Sequence, residues 1–175
     1  MVFPTVQFIE FDKTVDPSGF RHISASGIKT LDTSTNGYLD FGNVNTTSSG
    51  TISATKMVVF RASNMADASG IYNLRFFLQN ASAFNTGTYR FLYRVATHYQ
   101  GSSFSLSLAD LDTPTSEPSQ NVLATNGLAS ISGITDNDVS QYIYLGVYVG
   151  KDVPYGTYGG FGAGSFRYRM VYDFS

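Results

Sequence analysis

Apolar and polar side chains alternate with period two along much of this chain, the pattern of a strand with one buried and one wet face. Phe104, Leu106 and Leu108 alternate with Ser103, Ser105 and Ser107. Tyr89, Phe91, Tyr93 and Val95 alternate with Arg90, Leu92 and Arg94. Tyr72, Leu74, Phe76 and Leu78 alternate with Asn73, Arg75 and Phe77. Near the C-terminus, Phe166, Tyr168, Met170, Tyr172 and Phe174 fall on one face, and Arg167, Arg169, Val171 and Asp173 on the other.

Two segments read as more deeply buried. Residues 57–60, Met-Val-Val-Phe, are continuously apolar. Residues 142–149 place Ile143, Leu145, Val147 and Val149 on one face and Tyr142, Tyr144 and Tyr148 on the other. Apolar matter on both faces predicts a central strand, or one whose outer face is covered. Residues 6–11 predict a further strand. Weaker patterns cover 20–24, 38–41, 51–55 and 122–131, and 64–70 is compatible with one helical turn. Turn residues punctuate the chain at 16–19, Asn36-Gly37, 85–87, Asn126-Gly127 and Ser132-Gly133. Many short strands without a sustained helical period predict an all-β fold: a two-layer antiparallel sandwich of about eight to ten strands. Jelly-roll and immunoglobulin-like topologies fit the pattern equally. No linker or repeat interrupts it, so residues 1–175 are expected to form one domain. The expected core is Phe8, Tyr72, Leu74, Phe76, Leu78, Tyr89, Phe91, Tyr93, Phe104, Leu106, Leu108, Ile143, Leu145, Val147, Phe166, Tyr168 and Met170.

Composition sharpens this picture. The chain has 14 Phe, 12 Tyr and 17 Gly, and 14% of its residues are charged, against ~25% in an average protein. Aromatics and glycines at low charge suit sheets and turns, whereas a helical bundle exposes Glu and Lys. The net charge of −2 gives no field that would draw nucleic acid to the whole surface. With no Cys, disulfides, thiolate metal sites and cysteine nucleophiles are excluded. The opening residues show no signal-peptide pattern, which predicts a product that stays in the cytosol or leaves by lysis if the natural chain starts at Met1. No apolar run approaches the roughly 20 residues of a membrane helix.

Candidate chemistry is sparse. His98 continues the polar side of its strand beyond Arg90 and Arg94, and His22 stands beside Arg21, so both read as surface residues rather than bases or ligands. Asp110 with Asp112, and Asp136 with Asp138, offer oxygen ligands of the kind calcium takes. Neither pair extends to an EF-hand loop, and hydrogen bonding of Asp and Asn to their own turns accounts for them. No metal or cofactor is expected. The sequons Asn45-Thr46-Thr47 and Asn80-Ala81-Ser82 are read as chance matches. Tyr155, Tyr158 and Phe161, in the Gly-rich stretch 154–165, are the best candidates for stacking on a sugar or entering a neighbouring subunit.

The arginines are more informative. There are seven Arg to four Lys, and Arg61, Arg75, Arg90, Arg94, Arg167 and Arg169 all lie in predicted strands, where acids are few. Arg is favoured at protein interfaces because its planar fork binds carboxylates bidentately and stacks on rings. Arg75, Arg90, Arg94, Arg167 and Arg169 are therefore expected to form part of a docking surface, joined by Tyr155, Tyr158 and Phe161.

The Tyr/Phe-rich strands at 71–78, 88–95 and 165–175, the Ser, Thr, Asn and Gly between them, and the lack of Cys resemble small all-β virion proteins of tailed bacteriophages. The resemblance implies capsid decoration or a head or tail accessory role, with many symmetric copies per particle. The implied partners are copies of the chain and other virion proteins, without nucleic acid or membrane. The implied location is the virion, assembled in the host cytoplasm. The competing expectation is a carbohydrate- or receptor-binding module carrying Tyr and Phe in its loops. A jelly-roll hydrolase ranks below both, because its sites draw on several His.

Overall fold

In a computed structural model of the chain, the described residues are 2–11, 28–31, 39–45, 47–79, 89–96, 109–110, 142–151, 153 and 167–174. They form nine strands, with no helix among them: β1 (Thr5–Phe11), β2 (Ile28–Leu31), β3 (Thr51–Ile52), β4 (Lys56–Asn64), β5 (Ile71–Gln79), β6 (Tyr89–Ala96), β7 (Ala109–Asp110), β8 (Tyr142–Val149) and β9 (Arg167–Phe174). Every pairing is antiparallel. Seven strands make one open sheet in the order β2-β1-β4-β8-β6-β7, with β3 also on β8, while β5 and β9 pair separately.

β8 is the central strand that its sequence predicts. β6 pairs with it at all eight positions, from Tyr89↔Val149 to Ala96↔Tyr142. β4 takes the first part of its other edge and β3 the last. Tyr142, Ile143, Tyr144 and Leu145 are all buried, so both faces are out of water here. That explains a run without the usual apolar–polar alternation.

Between β3 and β4 the ladder breaks, and Ser53 bridges the gap. Its backbone N–H donates to the Val147 carbonyl at 2.9 Å. Its hydroxyl accepts from the Val147 N–H at 3.0 Å and lies 3.1 Å from the Ala54 carbonyl, to which it donates. A side chain thus replaces a missing backbone partner, and the strand expected over 51–55 shortens to Thr51–Ile52.

The main hydrophobic cluster lies on one face of the large sheet. Val58, Phe60 and Ala62 of β4, Phe91 of β6, and Ile143 and Leu145 of β8 cluster with Ile71 and Phe76 of β5. Phe8, Tyr93, Val147, Tyr168, Tyr172 and Phe174 pack against them. Rings join the two sets of strands: Phe8 to Phe76 at 5.7 Å, Phe60 to Tyr172 at 5.1 Å, and Phe91 to Tyr168 at 6.3 Å, edge to face. Phe76 and Tyr168 stack at 5.7 Å with 10° between their planes. Contacts of this kind add about 0.5–1.5 kcal/mol each beyond area burial.

Three sequence expectations change. β2 carries too little alternation to have been anticipated. Residues 64–70 form a turn rather than a helical turn: Ala66 has φ 50° and donates to Asn64 Oδ1 at 2.8 Å, and Ala68 N–H donates to the Met65 carbonyl at 2.9 Å. A left-handed residue cannot continue a right-handed helix. The third change is one of parity. The β5–β9 register shifts between Tyr72 and Arg75, so Ile71 opposite Phe174 shares the core face of Phe76, while the Tyr72 backbone pairs with Asp173. An extra residue in a bulge reverses which side chains share a face. Of the other expected core residues, Leu74, Leu78, Tyr89 and Met170 are placed by backbone alone, and Phe104, Leu106, Leu108 and Phe166 lie outside the described residues.

Candidate interaction surfaces

The five strand arginines expected to form a docking surface separate into two groups. The first stands on the β5–β9 pair. Its register sets Arg75 opposite Val171, Phe77 opposite Arg169, and Gln79 opposite Arg167. Directly paired residues share a face, and Phe76, Tyr168 and Tyr172 occupy the other face, toward the core. Arg75, Arg167 and Arg169 therefore share the face turned away from the aromatic cluster. Its acidic register position is Asp173, which is exposed.

The second group stands on the large sheet, on the face opposite Phe60 and Phe91. Arg90 pairs with Tyr148, and Arg94 with Tyr144. The Arg90 guanidinium carbon sits 4.5 Å from the Tyr148 ring centroid, a cation–π contact worth about 0.5–2 kcal/mol. Both arginines are half-buried rather than fully in water. The same face carries buried Ile9, Met57, Val59, Leu92, Tyr142 and Tyr144. Arg61 is on this face as well, opposite Gln7, and its Nε is buried without a hydrogen-bond partner among the described residues. The alternation that separates Arg90 from Phe91 is correct. What the sequence could not show is that β8 brings tyrosines alongside these arginines.

Tyr148 ties the turn before β3 to this face. Its hydroxyl donates to the Ser49 carbonyl at 3.1 Å, and the ring lies against Gly50, whose φ is 81°. Gly50 N–H donates to the Thr47 carbonyl at 3.0 Å, and the Thr47 hydroxyl returns a bond to the Gly50 carbonyl at 2.7 Å. Hydroxyls are exposed here, but their geometry closes the turn on itself. One ion pair, Lys56 Nζ to Glu10 at 2.7 Å, lies at the margin of the core face.

Burial pushes the Tyr168 phenol well above the usual tyrosine range, and Tyr172 upward in the same way. Neither shift involves a charged neighbour, so both report packing and not an activated group.

Tyr155, Tyr158 and Phe161 lie outside the described residues, as do His22, His98, Asp112, Asp136 and Asp138. Among the described residues no three His, Asp or Glu side chains come together as metal ligands would. Compared with protein-family models, with curated proteins and with solved structures, the chain matches none of them.

Proposed function

We propose that this chain is a non-enzymatic structural subunit of a virion, a capsid decoration protein or a head or tail accessory protein, acting through protein–protein contacts. The observation that carries the reading is the placement of Arg75, Arg167 and Arg169 on one face of the β5–β9 pair, backed by aromatic packing on the other. Several arginine positions on one face of a strand pair suit recognition of a carboxylate-bearing protein surface. In this reading the β5–β9 pair is the second layer of a two-layer sandwich, and the Phe8–Phe76, Phe60–Tyr172 and Phe91–Tyr168 contacts support that arrangement. The subunit joins the particle in the host cytoplasm and acts there with other copies and with other virion proteins.

Light scattering after size exclusion, followed by a glycan array, tests the proposal. The expected result is an oligomer that binds no glycan. A monomer that binds a defined glycan would overturn it in favour of a receptor-binding module.

A further inference from the structure

We infer that Arg61, with Gln7 opposite it, is a binding site for a single carboxylate group. The inference does not depend on the assembly reading above.

The site follows from register and burial. β1 and β4 set Gln7 opposite Arg61 and, two residues along the same face, Ile9 opposite Val59. Ile9 and Val59 are 0% exposed, so this face of the ladder is closed to water beside the pair. Gln7 and Arg61 are themselves half-buried. β8 pairs with β4 only from Lys56 to Val58. Among the described residues, Arg61 therefore has a strand neighbour on its β1 side alone. The ion pair of Lys56 with Glu10 lies on the opposite face of β4 and does not involve Arg61.

The arrangement is incomplete at the Arg61 Nε–H, which is buried and has no acceptor among the described residues. A buried donor without an acceptor costs free energy, and a ligand oxygen that accepts the bond recovers it. Nε and one Nη of a guanidinium point the same way in its plane and match the two oxygens of a carboxylate. The Gln7 amide, across the ladder, can donate as well. Directly opposed side chains start about 5 Å apart at Cβ, within reach of one shared group.

Charge favours a carboxylate over a phosphate. Arg90 and Arg94, on the same face, stand on β6, which is separated from β4 by β8. A single guanidinium balances one negative charge. A phosphate dianion would leave charge unbalanced at a half-buried position.

The test follows the Arg61 Nε–H of the full chain by nitrogen-edited NMR. Acetate, blocked glutamate (N-acetylglutamate amide) and inorganic phosphate are each titrated against chloride at constant ionic strength. Acetate and blocked glutamate are expected to move the signal along a saturating curve, and chloride to leave it in place. Arg61→Lys keeps the charge but loses the Nε–H and the planar fork, so the acetate response of the Gln7 backbone amide should weaken at least about tenfold. Gln7→Glu supplies a carboxylate from within the chain. Its Arg61 Nε–H should start near the bound position, and acetate should move it no further. If Arg61→Lys melts early, Gln7→Glu takes its place as the deciding variant. Blocked glutamate binding more tightly than acetate marks a protein side chain as the source of the carboxylate, and the reverse order marks a free monocarboxylate; both support the site. A signal that neither carboxylate moves, or an acetate response that survives unchanged in the deciding variant, overturns the site. Phosphate binding more tightly than either carboxylate overturns the choice of ligand.

Discussion

Tyr148 occupies the space that any side chain at position 50 would need: a Cβ on Gly50 would stand 2.6 Å from Tyr148 Cζ and 2.8 Å from its Cε2. The ring is not free to yield, since its hydroxyl is bonded to the Ser49 carbonyl and Arg90 stands over its π system. Gly50 also has φ 81°, a left-handed conformation that disfavours a Cβ. Gly50→Ala is therefore expected to destabilise the fold by about 2–4 kcal/mol, combining left-handed strain with overpacking. Urea unfolding measures this. A loss under about 1 kcal/mol would show that Tyr148 is only loosely held.

Ser53 gives a second prediction. Its hydroxyl accepts the Val147 N–H where the β3–β4 ladder breaks, and Ser53 itself is buried. Ser53→Ala leaves that N–H without its acceptor in an interior position. The expected cost is about 1–3 kcal/mol, with faster hydrogen exchange at the Val147 amide than at Leu145. Unchanged exchange at Val147 would mean that another acceptor takes its place.

Phe76 and Phe3 make a contrast between two phenylalanines that each touch another ring. Phe76 is 0% exposed between Phe8 and Tyr168, whereas Phe3 is 69% exposed although its ring meets Phe174 at 5.5 Å. Phe76→Ala should cost about 3–5 kcal/mol and Phe3→Ala no more than about 0.5 kcal/mol. Equal effects, read from denaturant midpoints, would contradict the burial of Phe76.

Alkaline stability should depend on Tyr168. Its folded pKa is raised by burial, while the unfolded phenol titrates near the ordinary value of about 10. Below pH 10 both states hold the proton, and the contribution is fully present. Above it the unfolded chain loses the proton first, so stability falls as pH rises toward the folded value. The slope from one such group is at most about 1.4 kcal/mol per pH unit. Tyr168→Phe should therefore flatten the decline in melting temperature above pH 10, and parallel wild-type and variant profiles would refute the assignment.

The period-two pattern located β5, β6 and β9, the apolar runs located β4 and β8, and β1 was expected over 6–11, each to within a few residues. Backbone pleating alone sends neighbouring side chains to opposite faces, so alternation is a local property that a sequence carries openly. For the same reason Phe91 could be separated from Arg90, and Tyr168 from Arg167, before any contact was known. The apolar run over β8 likewise indicated burial on both sides.

Pairing was not legible in this way, because partners far apart along the chain must first meet. The bulge between Tyr72 and Arg75 puts Ile71 on the core face with Phe76, and only the register against β9 reveals it. Ser53 looked like one more polar loop residue until β8 presented Val147 to it. The arginines show the limit most clearly. Sequence placed all five opposite the aromatic stripes, but tertiary structure set Arg90 and Arg94 beside tyrosines of β8 and gathered Arg75, Arg167 and Arg169 on a different pair of strands. A residue's face follows from its own strand, whereas its neighbours on that face belong to other strands, and their arrival is decided only when the sheet assembles.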